Sequence, residues 1–79
     1  MRIYIVIIED RHSDMEVLPF SSADDAVKFA KKTARAYCRH GKVVAGLNDA
    51  MKKDGWLYYG QYSCENDNVR VLERVLDAA

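Results

Sequence analysis

The stretch Met1-Arg2-Ile3-Tyr4-Ile5-Val6-Ile7-Ile8 decides the fold. Its β-branched and aromatic residues favour a strand, and from Ile3 onward it has no polar face. A strand that is apolar on both sides belongs in the interior of a sheet, so we expect Arg2 to Ile8 to be a central strand. In a chain of 79 residues, such a strand indicates a small sheet-based domain with more apolar surface than one helix layer can cover.

The next residues predict a hairpin partner for this strand. Residues 9–14 are polar, and Met15-Glu16-Val17-Leu18-Pro19-Phe20 is apolar again, as expected for two antiparallel strands joined by a short loop. Because Pro19 has no N–H for a ladder hydrogen bond, the second strand should lie at a sheet edge or end there.

A long amphipathic helix is expected from about Ala23 to Arg39. Ser22 and Asp25 have the spacing of a capping box at its start, and Gly41 can adopt the left-handed conformation that ends a helix. A stripe of small and apolar residues recurs at helical spacing and should face the sheet. The stripe consists of Ala23, Ala26, Val27, Ala30, Ala34, Tyr37 and Cys38.

The C-terminal half contains two further strands. The aromatic run Trp56–Cys64 predicts the third strand, with Gly60 as a candidate bulge position, and Val69–Leu76 predicts the fourth. Residues 65–68 have the chemistry of a turn. The segment Val43–Lys53 has two interpretations: a short helix closed by Gly55, or a loop with one helical turn.

These elements predict an α+β fold of order ββα(α)ββ over residues 1–79. One long helix, with a short second helix if it forms, would pack on one face of a four-stranded, mostly antiparallel sheet in two layers. The other face would present tyrosine and aliphatic residues to solvent or to a partner, unless a second helix or the long connection covers it.

Charge and composition limit the partners that the chain can attract. Twelve basic residues balance twelve acidic ones, so there is no global attraction to nucleic acid or to a membrane. The apolar N-terminal run is too short for a signal peptide and no segment has the ~18 apolar residues of a membrane span. With Cys38 and Cys64 as reduced thiols, we expect a cytoplasmic protein.

No constellation in the sequence favours an enzyme or a metal protein. Asp10, His12 and Asp14 alternate and could meet at a metal, but a solvated hairpin tip is the default for such residues. Cys38 lies on the predicted buried stripe, and His40, two positions away, would not face it. We therefore expect a non-enzymatic protein without cofactor or metal.

The predicted partner-binding surface combines aromatic and acidic residues. Tyrosine, tryptophan and arginine dominate interface hot spots, and acidic residues can pair with Arg or Lys that otherwise hold nucleic acid. A homodimer through the uncovered sheet face is compatible with this surface. The candidate contacts are the exposed aromatics Tyr58, Tyr59 and Tyr62 and the hairpin-tip charges Glu9, Asp10 and Asp14.

An alternative binding surface lies on the long helix. Lys28, Lys32, Arg35 and Arg39 follow at steps of four, three and four residues and would share one face, where they could contact phosphates. A solvated outer face is the more common role of such a stripe, and the zero net charge makes nucleic acid an unlikely partner.

Four segments resemble short uncharacterised proteins carried by bacteria and their phages. They are Ile5–Asp14, Pro19–Ser21 before an alanine-rich helix, Gly55–Tyr59 and Val69–Val71. In size and α+β make-up the chain is also similar to anti-CRISPR proteins, small phage-encoded inhibitors that bind host nuclease complexes. This resemblance implies a protein-binding module that inhibits a bacterial defence or nucleic-acid-processing complex, with a larger bacterial protein complex as its partner.

Overall fold

The computed structural model describes residues 1–39, 41–63 and 65–76. The fold is α+β, as predicted, but its sheet has five strands instead of four. The difference arises because the segment Val43–Lys53 forms both a two-residue strand and a short helix. The elements are β1 (Arg2–Glu9), β2 (Glu16–Phe20), α1 (Ala23–Tyr37), β3 (Val44–Ala45), α2 (Asp49–Lys53), β4 (Trp56–Gln61) and β5 (Asn68–Val75).

The sheet has the order β2-β1-β5-β4-β3, and every neighbouring pair is antiparallel. Strand β1 lies between β2 and β5, which confirms that the opening apolar run is an interior strand. It pairs with β5 along its whole length, from Arg2 opposite Val75 to Glu9 opposite Asn68. Pro19 lies in the edge strand β2, as its missing N–H requires.

The core lies between α1 and one face of the sheet. Val6, Val69 and Val71 are its largest fully buried side chains. Ala26 and Ala30 of α1 are also fully buried against them. Because a methyl group is short, this alanine face lets the helix backbone come close to the sheet, and the layer is packed without long helix side chains.

Helix α1 begins as predicted and ends earlier than predicted. The Ser22 Oγ accepts a hydrogen bond from the Asp25 backbone N–H at 3.3 Å, which caps the first turn. The helix stops at Tyr37 instead of Arg39 because Cys38 has an extended backbone, with φ −78° and ψ 106°. Tyr37, predicted in the buried stripe, is 45% exposed, and Thr33, which was not predicted there, is 9% exposed.

The second helix is short and capped at both ends. The Asn48 Oδ1 accepts from the Met51 N–H at 2.8 Å, and Gly55, with φ +89°, follows the last helical turn in the left-handed conformation that glycine favours. This position confirms the predicted closing role of Gly55. Neither α1 nor α2, the helices of the described residues, is long and apolar enough to cross a membrane.

Candidate interaction surface

A bulge in β4 decides which aromatic side chains face α1. Trp56 pairs with Leu72 and Tyr58 with Val71, so Leu57 is the extra residue between them. The bulge places Trp56 on the same face as Tyr59, whereas simple alternation predicts that it shares a face with Tyr58 and Tyr62. That prediction is wrong, and Gly60 is not the bulge position.

Two of the three tyrosines expected at the surface belong to the core. Tyr58 is 9% exposed and Tyr62 is 3% exposed, and both pack in the cluster formed with α1. A Cβ on Gly60 would overlap the Tyr58 ring and hydroxyl. The missing side chain of Gly60 therefore makes room for the buried Tyr58 ring. Tyr59 lies on the opposite face and is partly exposed.

The face of the sheet away from α1 is rich in apolar residues, most of which are partly exposed, while Leu72 near its centre is 9% exposed. Helix α1 packs on the other side, and α2 contacts β4 without contacting β1 or β5, so among the described elements no helix covers these two central strands here. At the edge, Val17 of β2 is 58% exposed beside Ile7. We call this surface the open face; it consists of Ile3, Ile5, Ile7, Val17, Trp56, Tyr59, Arg70 and Leu72.

Arg70 is the polar centre of the open face. Its Nη1 donates to the Glu9 Oε2 at 2.6 Å and to the Asn68 Oδ1 at 2.9 Å, and its guanidinium lies 5.7 Å from the centre of the Trp56 ring. The hydrogen bond and the charge of Arg70 lower the pKa of the Glu9 carboxyl. Arg70 and Glu9 therefore neutralise each other within the chain, and the guanidinium lies over the Trp56 ring at a distance that allows a cation–π interaction.

The three predicted tip acids have different environments. Glu9 is engaged by Arg70. Asp10 accepts a hydrogen bond from the Tyr62 hydroxyl at 2.7 Å and one from the His12 backbone N–H at 2.8 Å. These bonds lower the pKa of Asp10, while burial and the same bond raise the pKa of Tyr62. Asp14 is exposed and makes no hydrogen bond or ion pair with the described residues.

A network of polar contacts joins the β1–β2 loop to the β4–β5 loop. Asp67, which is buried, accepts from the Arg11 backbone N–H at 2.9 Å and from the Ser63 Oγ at 2.8 Å. The His12 Nε2 lies 3.0 Å from the Glu65 Oε2. Within the described residues, no buried side-chain nitrogen or oxygen is left without a partner, so these contacts fix the two loops to each other.

This network borders a cleft. The cleft, of about 1050 Å³, is lined by Asp10, His12, Tyr37, Glu65 and other loop residues. The Ser63 Oγ donates to the Asp67 Oδ2 and not to His12. In the described part of the chain, no three His, Cys, Asp or Glu side chains are placed to hold a metal ion. His40 and Cys64 lie outside the described residues.

The basic stripe on the helix is shorter than predicted. Lys28, Lys32 and Arg35 are exposed on α1, and the ion pairs found among the described residues do not include them. Arg39 follows the end of the helix and so is not fixed to the same face. Three cations, instead of four, extend from this side of α1.

Arg70 and Trp56 were not among the contact residues predicted from the sequence. The signal was present in β5, where Val69 and Val71 alternate with Arg70 and Leu72. Two valines indicate the core face of that strand, so Arg70 had to lie on the opposite face.

Protein-family models, curated proteins and solved structures give no match to this chain. The resemblance to phage proteins therefore stays a prediction.

Proposed function

We propose that the chain is a non-enzymatic protein-binding module and that the open face is its contact surface. The observation that carries the proposal is the row of isoleucines on β1 beside Trp56, Tyr59 and Arg70, on a side of the sheet where α1 does not pack. Continuous apolar patches on a domain surface mark interaction sites.

The composition of the open face supports binding to a protein. Trp, Tyr and Arg are the residues that contribute most to interface energies. Arg70 is already held against Trp56 by its bonds to Glu9 and Asn68. A partner that docks here therefore does not have to immobilise a flexible arginine, and such preorganisation favours affinity.

The tip acids contribute less to this proposal than the sequence predicted. Glu9 and Asp10 are engaged within the chain, and Asp14 remains as an exposed charge in the β1–β2 loop. On the sequence resemblance, we propose a bacterial defence or nucleic-acid-processing complex as the partner. Reversing Asp14 to Lys should slow association with such a basic partner, because rim charges act mainly on the association rate.

The proposal is tested by affinity capture from a lysate of the organism that encodes the chain. Ile5→Lys places a charge in the middle of the open face, and Ala36→Lys adds the same charge to the exposed side of α1. A true partner is retained by the wild type and by Ala36→Lys and lost with Ile5→Lys, and it binds the purified chain directly. If all three baits retain the same proteins, the open face is not the binding surface.

A second candidate function is nucleic-acid binding through Lys28, Lys32 and Arg35. Their exposure on one side of α1, outside the described ion pairs, favours it. With three phosphate contacts, log K should fall with log salt at a slope of about −2 to −3. Titrating duplex and single-stranded DNA at several salt concentrations measures this slope, and no binding at low salt excludes the function.

A further inference from the structure

We infer that the open face binds a second copy of this chain, so that the free protein is a symmetric dimer with two sheets face to face. This inference rests on the proposed function of the open face and names its first occupant. A dimer with two-fold symmetry uses the same patch on both chains, so the patch has to be large enough and has to complement itself.

The open face comes close to the area that such a dimer needs. Strands β1 and β5 are eight residues long, about 26 Å at 3.3 Å per residue. Four strands, from β2 to β4, span about 19 Å at 4.8 Å each. Because β2 and β4 have only five and six residues, the projected area is about 430 Å² per copy, or about 860 Å² for two, before side-chain relief is added. This approaches the minimum of about 1,000 Å² for a specific interface.

The central charges on the open face do not oppose self-association. Its central ion pair, Arg70 with Glu9, is closed within each chain at 2.6 Å. Arg74, at the end of the same face, donates to the backbone carbonyl oxygens of Asp54 and Glu73, both at 2.8 Å. Carbonyl oxygens carry no net charge, so Arg74 keeps its positive charge at the exposed end of the face, and only the centre of the face is neutralised within each chain. A partner that is recognised by charge would instead need a surface with a net positive or net negative charge.

The distribution of side chains also suits a two-fold axis. The β2–β1 half of the open face is aliphatic, with Val17, Ile5 and Ile7, and the β4 half is aromatic, with Trp56 and Tyr59. An axis parallel to the strands, between β1 and β5, places the aliphatic half of one copy opposite the aromatic half of the other. Sheets packed in this aligned way interdigitate their side chains about 10 Å apart.

The experiment measures mass and the accessibility of Trp56 together. Trp56 is the single tryptophan of the chain and lies on the open face, so acrylamide quenching of its fluorescence reports whether that face is covered. We expect sedimentation to give twice the 9.0 kDa chain mass at micromolar concentrations. On dilution, the dimer should dissociate and quenching should rise in parallel.

Matched variants identify the surface. Ile5→Lys should weaken the dimer at least about 100-fold, because each interface would contain the new charge twice, whereas Ala36→Lys should leave it unchanged. Val17→Lys, at a position that is already exposed, is the second variant should Ile5→Lys not fold. Circular dichroism checks the fold of each variant.

Two results would overturn the inference. One is a wild-type monomer at all concentrations up to the millimolar range; if capture of another protein still depends on Ile5, the proposed function stands and self-association fails. The other is a dimer that Ile5→Lys and Val17→Lys leave intact, with quenching of Trp56 unchanged on dilution, because the copies would then meet elsewhere.

Discussion

Replacing Tyr62 with Phe tests the hydrogen bond between Tyr62, the buried residue that follows β4, and Asp10 in the β1–β2 loop. The change removes a hydroxyl that donates to the Asp10 Oδ2 at 2.7 Å and leaves the buried ring in place. A hydrogen bond to a charged group contributes about 1.5–3 kcal/mol to stability. Asp10 is partly exposed and keeps the His12 N–H, so we expect a loss near the lower limit, about 1.5 kcal/mol.

The pH dependence of this loss identifies the bond as its cause. The pKa of Asp10 is lowered in the folded chain, first of all by Tyr62, so its contribution is present above the ordinary Asp pKa near 3.9. That contribution is lost as the pH falls through the lower, folded pKa. The stability difference between wild type and Tyr62→Phe should therefore be complete at pH 6–7. It should shrink toward the roughly 0.5–1 kcal/mol of a neutral hydrogen bond near pH 2.

The assays are urea unfolding and thermal unfolding, both followed by circular dichroism, at pH 7 and at low pH. At pH 7 the thermal midpoint should fall by about 6–12 °C, since each kcal/mol shifts a domain of this size by about 4–8 °C. Tyr37→Phe is the matched control, because the Tyr37 ring packs edge-on against Tyr62 at 5.7 Å while its hydroxyl bonds to none of the described residues. A loss that is equal at both pH values, or one that Tyr37→Phe reproduces, would contradict the argument.

Three further substitutions test the packing and the backbone. Val6→Ala, at a fully buried site, should cost about 2–3 kcal/mol in urea unfolding, because it removes two methyl groups and leaves a cavity; a loss below 1 kcal/mol would mean that the core relaxes around it. Gly55→Ala should destabilise more than Gly41→Ala, since both glycines have positive φ but a Cβ at Gly55 would lie 2.8 Å from the Glu73 carbonyl oxygen; equal thermal midpoints would count against this. Ser22→Ala should lower stability by about 0.5–1 kcal/mol through the lost N-cap, and an unchanged urea midpoint would mean that the 3.3 Å bond contributes nothing.

The parts of the fold that local chemistry determines were predictable from the sequence. The uniformly apolar β1 had to be covered on both sides by other strands, and Pro19 had to lie at an edge because it lacks a donor. Ser22 and Gly55 mark the start of α1 and the end of α2 by capping chemistry that does not depend on tertiary contacts.

The features that depend on distant contacts were not predictable in the same way. The bulge at Leu57 has no residue signature, yet it moves Trp56 to the open face. The bond between Asp10 and Tyr62 joins residues 52 positions apart, and no local pattern encodes it. Strand β3, with two residues, is too short to give a periodic signal.

The long pairing of β1 with β5 has a consequence for how the chain folds. Because Arg2 pairs with Val75 and Glu9 with Asn68, the central ladder joins residues roughly 60 to 70 positions apart. Closing so large a loop costs entropy before any contact compensates for it, and topologies of this kind fold in milliseconds to seconds. During synthesis, the apolar sides of the β1–β2 hairpin and of α1 remain exposed until β5 leaves the ribosome. In that interval a chaperone would protect them from aggregation.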